Sequence, residues 1–506
     1  MAPTKTAAAD VDVLIVGAGL SGIGAARHLQ MDLPDKSFKI LEMRESLGGT
    51  WDIFRYPGIR SDSDCYTFSY KFKPWPSDQS IADGELILDY LKEAATETGV
   101  DKYIEYNQKV TAADWSSADQ RWTVTVEDVK TGESSKVTCT FLYGNTGYYS
   151  YEAGYEPDFP GKKDFKGQIV QPQFWPEDLD YAGKKVVIIG SGATAVTLLP
   201  AMADLAEHVT MLQRTPTYML TLPKRDPLAR ALYGVLGQKR AYPIVRWANA
   251  TRMVGFYHFC QQFPGLSRKM LMGQVAGQVK GADVDMATDF NPPYNPWDQR
   301  LCVVPSGDLF RRLKQDDASI VTDQIETFTE NGIKLKSGKE LEADIVVTAT
   351  GLDLLLIGGI EASIDGESVD PTKQMVYRGC MLTNVPNFAF TVGYTNSSWT
   401  LKADLVAEYV CKVLGHMDEQ GFSTATPQND DPSVKEEPLL NFPAGYVMRA
   451  LDRFPKAGSK APWKMRMTYH QDYLDIRRGA VEDGALKFAK PVQPAVKKKS
   501  RAKAAA

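Results

Sequence analysis

The chain is poor in cysteine, in long apolar runs and in excess charge of either sign. Its six cysteines (Cys65, Cys139, Cys260, Cys302, Cys380 and Cys411) are scattered over 506 residues with no CxxC pair. That pattern excludes a dithiol reductase, gives no metal site, and fits reduced thiols in a cytoplasmic protein. No apolar run approaches the ~18–20 residues that span a bilayer, and the opening MAPTKTAAAD has no apolar signal-peptide core. No transmembrane segment is therefore expected. Lys and Arg number 58 against 63 Asp and Glu, a net charge of −5. A general nucleic-acid binder would need a basic face, so nucleic acid is not an expected partner. Only the last residues depart from this balance. Residues 491–506 read as a disordered basic tail with five Lys/Arg between Lys497 and Lys503, the other reading being contact with an anionic partner.

What is present is a strand–glycine–helix rhythm, twice. VDVLIVGAGLSGIGAARHL begins with an apolar run fit for a buried parallel strand and turns through Gly17, Gly19 and Gly22 into a helix. In GxGxxG the first glycine makes the tight turn and the second lets backbone approach a pyrophosphate at the helix N-terminus. The third lets helix and strand pack closely. FKILEMRE follows, and Glu42 ends its strand where a carboxylate binds ribose hydroxyls; a solvated glutamate is the alternative. The pattern returns in KKVVIIGSGATAVTLLPAM, with Gly190, Gly192 and Ala195 at the three positions. Gln213 stands at the place equivalent to Glu42, and Arg214 follows. Without the carboxylate a 2′-phosphate is not repelled, and the guanidinium can pair with it. The first module thus reads as an FAD or NAD site and the second as an NADP site, unless Arg214 is simply exposed without a ligand.

Two such modules predict an α/β fold with two Rossmann-like domains and a two-cofactor oxidoreductase. FAD-binding parts are expected at 1–150 and 352–490, and NADP-binding parts at 151–225 and 296–351. A helical insertion should occupy 226–295, where the periodicity loses the strand–Gly–helix rhythm. FLYGNTG, ending at Gly147, and the strand ending at Gly351 read as the links between the domains.

Together with these turns, GGTWDIFRYPGIRSDSD, FKGQIVQPQFWP and PPYNPWDQRLCVVPSGDLF resemble the type I Baeyer–Villiger monooxygenases, among the class B flavoprotein monooxygenases. GSGATAVTL, YNPWDQRLC and VGYTNSSWTLKADL are most similar to the ethionamide-activating group within that family. The resemblance runs from about residue 10 to 490. It implies FAD and NADPH as cofactors, dioxygen as co-substrate, and a site in the cleft between the two domains. Family members form a flavin peroxide and insert one oxygen atom into a ketone or deliver it to sulfur. An anionic oxygen donor attacking a carbonyl needs a fixed cation beside it, and an always-charged guanidinium supplies one. Arg300 matches the family's active-site arginine and Asp62 the carboxylate that orients it; an ordinary structural ion pair is the alternative. Ser21, Gly49, Thr50, Trp51, Asp52, Arg60, Ser61 and Val110 would follow the flavin, although Trp51 could equally be core. Ser191, Ala193 and Thr194 would join the second glycine turn around NADP. Trp399 and Lys402 are expected to face the cleft, and the helical insertion with 281–296 to line its entrance. The alanine, proline and aromatic residues of that entrance favour a small apolar ketone or sulfide.

One letter departs from the family. The fingerprint FxGxxxHxxxWP keeps Phe165, Gly167, Trp175 and Pro176, but Gln171 replaces the histidine. Glutamine donates and accepts hydrogen bonds as a neutral imidazole does, yet cannot become a cation. Lying in the connection into the second module, Gln171 is expected to modulate coupling rather than abolish activity. The alternatives are a flavin S- or N-oxygenase without ketone activity, an uncoupled NADPH oxidase, and a nucleotide-binding redox module without catalysis.

Overall fold

A computed structural model describes residues 9–440 and 444–492, so the basic stretch Lys497–Lys503 lies outside the described residues. The Val11–Val16 strand has Val13, Leu14 and Ile15 fully buried, as a parallel strand covered on both faces requires. It pairs in parallel with Phe38–Glu42 on one side and Ser134–Gly144 on the other. Ser134–Gly144 serves two structures. Its first half closes an antiparallel meander with Arg121–Asp128 and Gln108–Ser116, while its last residues enter the parallel layer. Phe388–Phe390 returns from far along the chain to pair with Leu142–Gly144. The helix Trp399–Gln420 then packs on Leu20–Asp32, the helix after the first glycine turn.

The second sheet has five parallel strands in the order 318–322, 208–213, 185–189, 345–348 and 168–170. Helix Ala193–Met202 follows its glycine turn. Two connectors run side by side between the sheets. The Ser150 N–H donates to the Asp353 carbonyl and the Leu355 N–H to the Tyr148 carbonyl, both at 2.9 Å.

Between the Met219–Leu222 and Cys302–Pro305 strands lies a helical stretch, Pro227–Leu236, Gln238–Gln262, Pro264–Gln278 and the short Met286–Asp289. Asp226 caps its start by accepting from the Leu228 N–H at 2.8 Å and the Ala229 N–H at 3.3 Å. Arg246 anchors it to the first module. Its guanidinium donates to the Tyr66 and Thr67 carbonyls at 2.9 and 3.0 Å and pairs with Asp404 at 3.0 Å. No helix among the described residues is long and apolar enough to cross a membrane.

Candidate active site

The two glycine turns open into one cavity of about 1510 Å³ between the sheets. That exceeds the ~300–1,000 Å³ of a typical single-ligand pocket, so there is room for more than one molecule. Gly17 has φ +102°, and a Cβ there would sit 2.6 Å from the Asn145 carbonyl oxygen. A Cβ on Gly22 would meet the Gly17 oxygen at 1.9 Å, so the third glycine serves helix–strand contact and lies behind the cavity wall. Gly190 has φ +138°, and the third position of its turn is the buried Ala195. Gly19 and Gly192 are the N-caps of their helices, and neither helix start has a side-chain cap. Both cap glycines line the cavity, so free N–H groups face it from two directions. Ser191, Ala193 and Thr194 line it beside Gly192. Such cradles fit the pyrophosphates of two dinucleotides.

Glu42 and Arg214 distinguish the two ends. The Glu42 carboxylate accepts the Ala18 N–H at 2.7 Å and the Arg44 N–H at 2.9 Å and lines the cavity. Burial pushes its carboxyl above the usual range despite those donors. Arg214 is exposed at the cavity edge with no carboxylate at ion-pair distance among the described residues. Gln213 does not join it. Its amide donates inward to the Asp289 carbonyl at 2.7 Å and the Thr322 hydroxyl at 2.8 Å, and it is absent from the lining. The expectation that Gln213 contacts a cofactor is therefore corrected: a buried amide is held by hydrogen bonds that cost much to break.

Arg300 and Asp62 meet in the middle, with Nη2 of Arg300 2.8 Å from Oδ2 of Asp62. Asp62 arrives on the loop after Gly58, whose φ is +72° and whose Cβ would come within 2.6 Å of the Ala201 Cβ. That close approach presses a loop of the first module onto a helix of the second. Arg60 pins the same loop across the cleft by pairing with Asp308, and Ser61 accepts the Ala82 N–H at 3.1 Å. Arg300 lies just before the Cys302–Pro305 strand, which pairs in parallel with Met219–Leu222. The preceding turn is closed by the Asp298 N–H on the Asn295 carbonyl and the Asn295 N–H on the Asp298 carboxylate, both 3.0 Å. Desolvation opposes charge on Arg300, but Asp62 together with the neighbouring Tyr148, Tyr446 and Tyr149 outweighs it and holds the guanidinium above its ordinary range. The result is a permanent cation inside a cleft.

Tyrosines surround this pair, and they carry no motif that sequence reasoning used. Tyr148, Tyr149 and Tyr446 line the cavity, and burial raises the phenol of each far above its usual range, leaving neutral O–H groups. Tyr148 packs on Trp399 with ring centroids 4.8 Å apart, and the Trp399 indole N–H donates to the Ser21 hydroxyl at 2.8 Å. Arg449 sits over the Tyr155 ring at 3.4 Å. The one signal available was the tyrosine-rich GYYSY directly after the first connector glycine.

Other expected positions sort by whether they reach the cavity. Gly49, Thr50, Trp51, Val110, Arg60 and Ser61 line it. Asp52 does not. Its buried carboxylate takes Arg44 at 2.8 Å, Arg55 at 2.7 Å and the Ser46 hydroxyl at 2.5 Å, which makes it a local anchor for the turn. Lys402 also turns away, pairing at 2.7 Å with Asp472 beside a second, smaller cleft. Of 226–296 only Tyr294 lines the cavity, so the insertion does not wall the entrance as expected. Its apolar side chains pack on both modules, Ala229 and Val245 on the first and Val275 and Val279 on the second, or face out.

Gln171 lines the cavity in the connector, where a Cβ on Gly154 would sit 2.1 Å from its amide nitrogen. Two residues on, Gln173 donates to the Ser150 carbonyl at 2.7 Å, tying the segment after the 168–170 strand to the first connector. Phe165 packs edge-on against Phe328, and Gly167 passes close to the Asp344 carbonyl. Trp175 and Pro176 are half-buried outside the lining. None of the five histidines lines the cavity.

Comparison with known proteins fits this geometry. The flavin-binding monooxygenase-like family matches residues 11–227. The chain is 53% identical over 485 residues to the FAD-containing monooxygenase EthA of Mycobacterium tuberculosis, covering 96% of this chain and 99% of that one. It is 50% identical over 482 residues to the probable FAD-binding monooxygenase AlmA of Acinetobacter baylyi, covering 95% and 96%. Among solved structures, OTEMO in complex with FAD and NADP superposes with a TM-score of 0.68 at 25% identity, over 84% of this chain and 87% of that one.

Proposed function

The chain belongs to the flavin-binding monooxygenase family, and from that premise we propose that it inserts one oxygen atom of dioxygen into small apolar ketones and also oxidises sulfides. It is an FAD- and NADPH-dependent monooxygenase with two dinucleotide-binding modules. The observation that carries the ketone assignment is the Arg300–Asp62 pair, 2.8 Å apart in a cavity reached by both glycine turns.

Bound FAD, reduced by NADPH, would supply the activation of dioxygen. Gly17, Gly19, Glu42, Gly49, Thr50, Trp51 and Val110 would hold it, with Gly190, Ser191, Gly192, Ala193, Thr194 and Arg214 on NADPH. Arg300 holds positive charge beside the place where an attacking anionic oxygen passes its negative charge to a ketone carbonyl oxygen. Asp62 fixes the direction of that guanidinium. The neutral phenols of Tyr148, Tyr149 and Tyr446 can orient a carbonyl by donating hydrogen bonds to its oxygen while keeping their own protons. Trp399 and Tyr148 give the apolar wall that fits a hydrocarbon ketone or sulfide. The same reading divides the chain as the sequence suggests, at 150, 225, 295 and 351. The return of Phe388–Phe390 to the first sheet supports it. Six buried, unpaired thiols support a reducing, cytoplasmic setting.

Arg300→Ala tests the assignment. With flavin content unchanged, ester formation from a cyclic ketone should fall roughly 10²–10³-fold, as loss of one oxyanion donor does. Sulfide oxidation, which develops no carbonyl oxyanion, should fall less. A wild-type protein that oxidises sulfides but never ketones makes the S-oxygenase alternative correct. NADPH consumption indifferent to either substrate makes it an oxidase.

A further inference from the structure

The helical insertion carries a feature that the active site does not use. Between Pro227 and Lys280 there are eight Lys/Arg and no Asp or Glu, in a chain whose net charge is −5. Pro227–Leu236 and Gln238–Gln262 pack as a hairpin joined at Gly237, φ +72°, and every residue from Gly234 to Arg240 is exposed. The tip is open to solvent and is held to the first module by Gln238, whose amide donates to the Trp75 carbonyl at 2.7 Å. Large apolar side chains are exposed on both arms: Val235 is 82% exposed, Ile244 50% and Leu228 and Leu236 40% each. Trp247 is 47% exposed, with one edge of its ring against Tyr469, His470 and Tyr473. Their spacing is helical. Leu228 and Val235 lie seven residues apart on the first arm, and Arg240, Ile244 and Trp247 share a face of the second. Scattered exposed apolar residues are ordinary, but a set on one hairpin, interleaved with cations, is not. Arg246 and Arg252 are committed to Asp404 and Asp226. Arg230, Lys239 and Arg240 have no carboxylate partner among the described residues.

We propose that this hairpin docks the protein on the surface of an anionic phospholipid bilayer, with Val235, Leu236, Ile244 and Trp247 entering the headgroup boundary. Arg230, Lys239 and Arg240 would pair with lipid phosphates. Outward apolar residues flanked by unpaired cations are the composition of an interfacial helix. A tryptophan near the edge of the buried set suits the headgroup level. A second copy of the chain fits less well, because a twofold contact would set the same cations against each other. The proposal is independent of the oxygenation chemistry.

The test is co-sedimentation of the full, flavin-loaded chain with vesicles of phosphatidylcholine alone or mixed with phosphatidylglycerol. Binding is expected to the mixed vesicles only and should weaken as salt rises. Lys239→Gln with Arg240→Gln should lower the partition roughly 25-fold, about fivefold per cation. Val235→Ser with Ile244→Ser should lower it roughly tenfold or more. Thermal melts matching the wild type show that these variants are folded. Replacing all five Lys/Arg of Lys497–Lys503 by Gln should leave binding in place. No binding to the mixed vesicles overturns the proposal. So does binding that both hairpin variants retain, or that the tail variant abolishes. A concentration-dependent dimer that Val235→Ser with Ile244→Ser dissolves, without vesicle binding, assigns the face to a second copy and also overturns it.

Discussion

Replacing Arg214 with alanine isolates the contact that should distinguish NADPH from NADH. The guanidinium is exposed at the cavity edge, beside the second glycine turn, with no ion-pair partner among the described residues to rearrange. Its neighbour Gln213 is locked inward on Asp289 and Thr322 and offers a 2′-phosphate no contact. The carboxylate of Asp323, which also lines the cavity there, accepts the Gln324 and Ser337 N–H groups at 2.6 and 3.3 Å. A hydrogen bond to a charged group contributes about 1.5–3 kcal/mol when well shielded. Solvent screening of an exposed cation reduces this to about 0.5–1 kcal/mol. That corresponds to roughly a 2- to 5-fold rise in KM for NADPH. NADH lacks the 2′-phosphate, so its KM should not move. Anaerobic flavin bleaching, followed at 450 nm against each nucleotide, measures both, with a second series at high salt in which the NADPH difference shrinks. Equal loss for the two nucleotides would refute the assignment of Arg214, and a loss that salt leaves untouched would refute its electrostatic basis.

Three further outcomes follow from the geometry. Asp62→Asn removes the charge that orients Arg300 at 2.8 Å; ketone turnover should fall about 10- to 100-fold with FAD retained, and unchanged turnover would show that Arg300 needs no anchor. Gln171→Ala empties the place beside Gly154. The fraction of consumed NADPH that ends as product should drop and hydrogen peroxide rise, with the melting temperature little changed; an unchanged ratio would make Gln171 a bystander. His28 is buried 3.5 Å from Asp32 and 3.6 Å from Asp404. Burial opposes its charge, but these two carboxylates outweigh it and raise its pKa to about 9. Because the folded value lies above the unfolded 6.5, its stabilisation is complete below pH 6.5 and is lost as pH rises through about 9. The shift corresponds to roughly 3 kcal/mol. Wild-type denaturant midpoints should decline across that window and those of His28→Gln should not, and parallel profiles would show that His28 is uncharged at neutral pH.

Much of the fold was legible because its signals are local. The buried runs at 11–16 and 185–189, the positive-φ glycines Gly17 and Gly190, and the helical periodicity after Asp226 each depend on residues a few positions apart. The Arg300–Asp62 pair was nameable only by resemblance, since 238 positions separate its members and no local rule relates them. Asp52 and Gln213 show the limit from the other side. Each sits in the expected stretch, yet whether a side chain faces a cavity or a neighbour depends on what packs behind it. For Asp52 that is Arg44, Arg55 and Ser46; for Gln213 it is Asp289 and Thr322, 76 and 109 residues away.

The sequence by itself therefore determined the two dinucleotide turns, the carboxylate at the end of one partner strand and the amide–arginine pair at the end of the other. Each is a matter of backbone conformation or charge within one strand–turn–helix unit. Tertiary structure alone decided that the turns open into one cavity, that Tyr148, Tyr149 and Tyr446 surround Arg300, and that Lys402 faces elsewhere. It also decided that the helical insertion leaves its hairpin outside the cavity walls. Those are questions of which surfaces meet, and surfaces far apart in the chain meet only when both sheets have formed and the paired connectors have set the distance between them.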